Sequence, residues 1–168
     1  MKEIFSEFLE FINDIVKKFC IILTGSMTFL VLLQVVMRLL VRVLPIKVPN
    51  WTEELSRYMM IYIAFVGASN GIREWSMVGV DFLLNKFPNK ARFAMNLAIR
   101  VTILAFWIVI VYLGINIFPK VGIKQFSASM GFPLFYAQLS IIIGGVICAL
   151  QTIGQTVKLI TEGGEVNA

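Results

Sequence analysis

Trp51-Thr52-Glu53-Glu54-Leu55-Ser56-Arg57 heads the apolar run Tyr58–Ile72, which sets three charges where a chain would enter a membrane. A centrally placed Arg or Asp costs about 2.5–3.5 kcal/mol on insertion scales, and the cost falls toward the headgroups, where long side chains reach water. A contact or an interfacial position must offset it. The apolar run alone is 15 residues between Arg57 and Arg73, so it crosses about 30 Å of hydrocarbon only if the Trp51–Arg57 turn belongs to the same helix.

The rest of the chain settles the class. Of 168 residues, 58% are hydrophobic and 15% charged, and the mean hydropathy is +0.84. That is too much apolar surface for a soluble domain of this size and fits an all-α integral membrane protein. Phe19–Met37 and Val101–Pro119 hold 19 residues each without a charge, and Gln125–Val157 holds 33. With the Trp51 segment this gives four transmembrane helices, at about 19–43, 51–73, 89–118 and 132–157, in a single domain. With the N-terminus in the cytoplasm, nine Lys and Arg fall inside and six outside, so the positive-inside bias favours an N-in/C-in arrangement. The 15 cations are scattered over loops and helix ends, which speaks for membrane topology and against nucleic acid.

Cys20 and Cys148 lie in apolar surroundings as small packing residues, with no disulfide framework. Phe19–Met37 exceeds a signal peptide's apolar core, acidic residues precede it, and no small-x-small cleavage site follows, so the first helix is expected to stay in the mature protein.

Upstream of it, Ile4, Phe5, Phe8, Leu9, Phe11, Ile12, Ile15 and Val16 recur with helical spacing against Glu3, Glu7, Glu10 and Asp14. This amphipathic segment, about 3–17, reads as a helix lying on the membrane surface or as the first turns of one long helix. A second short interfacial helix is expected at about 77–87, where Val80, Leu83, Leu84 and Phe87 face away from Asp81, Asn85 and Lys86 and Pro88 ends the pattern. Asn50 and Glu53 have capping-box spacing at the start of the second span. Ala64, Gly67, Ala68 and Gly71 form a small-residue face there, and Ser140, Gly144 and Cys148 another in the fourth span. Such faces let helices approach closely, within this unit or against a partner subunit.

Several chemistries are excluded. The chain has no histidine and two cysteines, which removes bis-histidine haem and thiolate metal sites, and no cofactor is expected. Glu53 and Glu54 point about 100° apart on a helix and do not converge as a catalytic dyad. Two ion pairings compete for them: Glu53 with Arg57, four residues on, or Glu54 with Arg38 across the first hairpin. In both, Arg38, Glu53, Glu54 and Arg57 are structural or docking contacts. Lys120 and Lys124 mark a solvated outer loop or meet an acidic surface on a soluble partner. None of the charge-free cores holds an acid to bind a proton or sodium ion at mid-depth, which argues against an independent ion-coupled carrier and for an accessory membrane subunit.

Gln34-x-x-x-Arg38, a Pro-containing loop, Trp51-Thr-Glu53-Glu54-Leu-Ser-Arg57-Tyr58, Phe65-Val-Gly67-Ala68-Ser69, Arg73 and Val80-Asp81 together resemble the DctQ family, the small membrane subunits of tripartite ATP-independent periplasmic (TRAP) transporters. The Glu-Glu-Leu-x-Arg-Tyr core and its upstream Arg are the most specific part. Met77 and Ser140 depart from the family pattern, where a histidine and a mid-helix proline are common. The resemblance implies a bacterial inner-membrane scaffold for a large membrane subunit that carries the substrate and sodium sites. It also implies a soluble periplasmic protein that delivers an organic acid, of the sialic acid or C4-dicarboxylate class. Membrane lipids are its remaining partners.

The alternatives are a structural anchor for another multi-subunit complex and a small drug-exporting homo-oligomer, which usually needs an acid near the middle of its first helix. Co-purification separates the three: a large polytopic partner supports the transporter, a soluble redox subunit the anchor, and neither the exporter.

Overall fold

A computed structural model describes residues 2–41, 49–74 and 89–165. They form four helices: α1 (Lys2–Leu40), α2 (Trp51–Glu74), α3 (Asn89–Gly122) and α4 (Phe135–Glu165). Three are long and apolar enough to cross a membrane, over Glu7–Leu40, Ala91–Gly122 and Phe135–Thr161. The chain is an all-helical membrane protein.

α1 runs without a break through Lys17 and Lys18. The amphipathic 3–17 segment is therefore continuous with the apolar part, as the one-long-helix reading has it, and no turn separates a surface helix. α4 begins at Phe135, because Ser127–Pro133 is occupied by a tight loop. The expected interfacial helix at about 77–87 lies outside the described residues.

The helices pack in a flattened row. α1 lies on α2, α2 on α4 and α4 on α3, with only a slight touch between α1 and α4. Each helix therefore has one or two neighbours, and its remaining surface is apolar and open. Ile21, Phe29 and Tyr112 are about two-thirds exposed. In water such a surface would aggregate; in lipid it is solvated, and association rests on close packing and interhelical hydrogen bonds.

Close packing is centred on α4. Ser140 and Cys148 are fully buried, and Gly144 lies between them. A Cβ on Gly144 would meet the Phe65 backbone of α2 at 2.6 Å, so only glycine allows this approach. About 100° further round α4, Gly145 takes Val111 of α3, which a Cβ would meet at 2.8 Å. Cys148, Ile72 and Trp107 then form a small core with Phe65, Ala68, Ile103, Ile110 and Ala149 around it.

The small residues of α2 are divided among three surroundings. Ala68 joins that core, Gly67 faces the Cys20 thiol of α1, and Ala64 and Gly71 are exposed. A Cβ on Gly71 would meet nothing within 4 Å. Two buried serines of α2 are satisfied within the helix: the Ser56 hydroxyl donates to the Thr52 carbonyl at 2.8 Å and that of Ser69 to Val66 at 2.7 Å. These two hydroxyls are thereby paired inside the membrane-facing bundle, whereas the Asn70 side-chain oxygen of the same helix is buried without a hydrogen-bond partner.

The two glycines separate packing from propensity. Gly144→Leu is expected to cost about 1–3 kcal/mol through overpacking. Gly71→Ala, which gains helix propensity and meets no atom, is expected to leave the thermal midpoint in detergent unchanged or slightly raised. Thermal unfolding of both variants followed by circular dichroism checks the contrast.

Candidate functional site

The polar residues of the row gather at its two ends. At the Glu53 end, Arg38 in the last turn of α1 reaches into the first turn of α2 and donates to Glu53 at 2.9 Å. Gln34, one turn earlier and buried, approaches the same carboxylate oxygen at 3.5 Å. Arg57 lies 3.8 Å from the other oxygen. Glu53 therefore serves the α1–α2 seam, where a capping box would have turned it back to Asn50.

Glu54 faces elsewhere. It accepts from the Tyr58 hydroxyl at 2.9 Å and from the Ser129 backbone N–H at 3.2 Å. The cross-hairpin partner of Arg38 is thus Glu53 and not Glu54. The reason is the 100° step between adjacent helical residues: one carboxylate faces α1 and the other the loop between α3 and α4. The along-helix Glu53–Arg57 pairing is present at the same time, as the looser of the two contacts.

The loop that Glu54 holds is bonded across itself. Phe126 and Pro133 form an antiparallel bridge, the Ser127 N–H donates to the Phe132 carbonyl at 2.8 Å, and the Gly131 N–H donates to the Ser127 carbonyl at 3.1 Å. Gly131 has φ +69°, a left-handed conformation that closes the turn and that an L side chain rarely adopts. The Tyr62 hydroxyl, donating to the Tyr136 carbonyl at 2.8 Å, ties α2 to the start of α4 just below. Asn50, Glu53, Glu54, Arg57, Ala128 and Ser129 line an open hollow of about 290 Å³ between α2 and the loop.

At the opposite end, each neighbouring pair in the row has its own bond. Arg73 of α2 pairs with Glu10 of α1 at 3.0 Å. Gln155 of α4 donates to the Arg73 carbonyl at 2.6 Å. Arg100 of α3, buried, donates to the Gln155 carbonyl. Gln151, fully buried, donates to the Leu9 carbonyl of α1 at 3.3 Å. Neither Gln151 nor Gln155 belongs to a charged motif or a small-residue face. Their signal is two carboxamides four residues apart inside a charge-free window, the spacing of one helix face. Among the described residues no three carboxylate, thiol or imidazole groups come together.

The model of the family described as tripartite ATP-independent periplasmic transporters, DctQ component, matches residues 27–162. The chain is 26% identical over 109 residues to the sialic acid TRAP transporter small permease protein SiaQ of Vibrio cholerae, a match covering 65% of this chain and 62% of that one. It is 30% identical over 84 residues to the sialic acid TRAP transporter permease protein SiaT of Haemophilus influenzae, covering 50% of this chain and 12% of the relative. The chain belongs to the DctQ family and is a transporter component, not an enzyme.

The pairing at the Glu53 end is tested by charge exchange. Exposed ion pairs contribute about 0.2–1 kcal/mol in water, so Arg38→Glu and Glu53→Arg are each expected to lower the thermal midpoint. The double exchange Arg38→Glu/Glu53→Arg should restore most of the loss, while Arg38→Glu/Glu54→Arg should not. A double-mutant cycle in detergent gives the result.

Proposed function

We propose that this chain is the small membrane subunit of a sodium-coupled TRAP transporter that imports an organic acid of the sialic acid or C4-dicarboxylate class. It braces a large transport subunit in the bacterial inner membrane. The observation that carries this reading is where the charges lie. Between Lys18 and Arg38, Arg57 and Arg73, Arg100 and Lys120, and in α4 up to Lys158, the helices hold no Asp, Glu, Lys or Arg. A coupling ion and an anionic substrate need charged or carbonyl ligands at mid-depth, and they find no charged ones here. In this reading a partner supplies them. The relative SiaT, in which the matched segment is a small part of a much longer permease, supports a large permease as that partner.

All four helices cross the membrane in this reading. α2 is 24 residues long, and the step from Glu53 to Arg73 rises about 30 Å at 1.5 Å per residue, about the thickness of the hydrocarbon. Its polar ends then lie at the two interfaces, with Trp51 as an aromatic anchor. The Glu53 end faces the periplasm and the Arg73 end the cytoplasm, so that the N- and C-termini are both cytoplasmic. Arg38, Glu53, Glu54 and Arg57 hold the periplasmic end together. With Lys120, Lys124 and the loop pinned at Ser129 they offer part of the docking surface for a soluble substrate-binding protein. Ser140 and Gly144 hold the scaffold together internally.

Two measurements test this. In a chain with Cys20 and Cys148 replaced by alanine, a cysteine at position 51 should react with a membrane-impermeant maleimide from the periplasm and one at position 74 only from the cytoplasm. Labelling of both from one side contradicts the four-span arrangement. An affinity tag on this chain should recover a large polytopic membrane protein, and deleting the chain should abolish uptake of the organic acid by cells. Recovery of a soluble redox subunit instead would identify an anchor.

A further inference from the structure

The connection between α3 and α4 lies down beside the first turn of α2. Its two arms pair through the Phe126–Pro133 bridge, with the Ser127 N–H donating to the Phe132 carbonyl and the Leu134 N–H to that of Gln125 at 2.9 Å. Standing upright, arms of this length would carry the tip about 13 Å beyond the helix ends. The tip does not rise: the Ser129 N–H donates to the Glu54 carboxylate at 3.2 Å, within one side chain's length of the first turn of α2. Tyr62, two turns further along α2, bonds the Tyr136 carbonyl at 2.8 Å, which holds the base of the hairpin no higher.

At that height the hairpin is uncharged and aromatic. Between Lys124 and Lys158 the chain holds no Asp, Glu, Lys or Arg, and α4, starting at Phe135, already supplies the roughly 20 residues that a crossing needs. Residues 125–134 extend the charge-free stretch beyond that requirement. Phe126 is 63% exposed and Phe132 56%, and they are on opposite faces of the ribbon. Phe126 stands across from Pro133, and neighbours along a strand alternate sides, which puts Phe132 on the face of the buried Ser127. Trp51 and Tyr136, at the starts of α2 and α4, are exposed at the same end of the row.

We propose that the α3–α4 hairpin is an interfacial anchor that seats Phe126 and Phe132 in the lipid surface of the periplasmic leaflet. Aromatic side chains are favoured at the boundary between headgroups and acyl chains. A ribbon lying in that layer is surrounded on both faces, whereas a protein docked on it covers one. A soluble partner approaching from the periplasm meets groups that stand above the headgroups, and a hairpin tied down to the first turn of α2 does not stand above them. The polar groups of this end remain available to such a partner, and the two rings do not. Fixed to α2 through Glu54 and to lipid through its rings, the hairpin sets the depth at which the row of helices floats. The anchor rests on α2 crossing the membrane as proposed above, which the labelling of positions 51 and 74 tests separately.

Nitroxide labels on single cysteines at positions 126, 132, 124 and 108 read the depth, in the full chain with Cys20 and Cys148 replaced by alanine, reconstituted in phospholipid vesicles alone and with the large transport subunit. Oxygen concentrates in lipid and a neutral nickel chelate stays in water, so the ratio of their collision rates rises with depth. At 126 and 132 this ratio is expected several-fold above that at 124 and below that at 108, an exposed position in the middle of α3. Adding the large subunit should leave both values unchanged. A ratio at either ring position equal to that at 124 overturns the proposal, because the hairpin then stands in water. Loss of collisions with both reagents on adding the large subunit also overturns it and makes the rings a protein contact. Should the cysteine-free chain not fold, Phe126→Trp and Phe132→Trp replace the labels: quenching of the added fluorescence by lipids brominated near the headgroup supports the anchor, and no quenching overturns it. When position 51 labels from the periplasm and position 74 from the cytoplasm, each contrary result counts against the anchor alone.

Discussion

The contact between Gly144 of α4 and the backbone of Phe65 in α2 is the one on which the rest of the row depends. Lipid offers no hydrophobic drive for helices to associate, so what brings two of them together is how closely their backbones approach. A missing side chain at Gly144 supplies that approach, with Ser140 one turn before it and Cys148 one turn after, both fully buried. Once α2 is seated on α4, α1 packs on the other side of α2. Gly145, about 100° round the helix from Gly144, makes room for the Val111 side chain of α3. A flattened row results, in which α4 packs on α2 and α3 and only touches α1.

Polar groups at the two ends then fix the row's register. Packing of small residues is tolerant of sliding, but a bond from Arg38 to Glu53 at one end and from Arg73 to Glu10 at the other is not. Gln155 and Arg100 extend the same control from α2 through α4 to α3. The helices are thereby held at fixed heights relative to one another, while both broad faces stay apolar. Such an object resists bending and offers wide surfaces to lipid or to another membrane protein.

Much of this is legible in the sequence, and the gaps have physical causes. Charge-free windows mark α1, α3 and α4 because length and hydropathy alone decide whether a helix suits lipid. α2 is harder to read, since Thr52, Ser56 and Ser69 lower its apolarity although their hydroxyls are consumed within the helix or just before it. Arg38 is recognisable as a partner for the Glu53-Glu54 pair, but which of the two it meets depends on the rotation of α2 about its axis, and no local pattern fixes that angle. The Ser140–Gly144–Cys148 row is visible as a spacing. The division of Ala64, Gly67, Ala68 and Gly71 among three surroundings is not, because it needs the positions of α1 and α4. Gln151 and Gln155 carried a readable signal that hydropathy averaging hides.

In the proposed role, a row of helices with its charges at the ends holds a transport machine steady while another chain carries the coupling ion and the solute. The most direct test is to reconstitute this chain alone into proteoliposomes with an inward sodium gradient and a soluble substrate-binding protein loaded with radiolabelled sialic acid or a C4-dicarboxylate. No uptake above protein-free liposomes is expected until a large transport subunit is added. Sodium-dependent accumulation by this chain without that subunit would contradict the account.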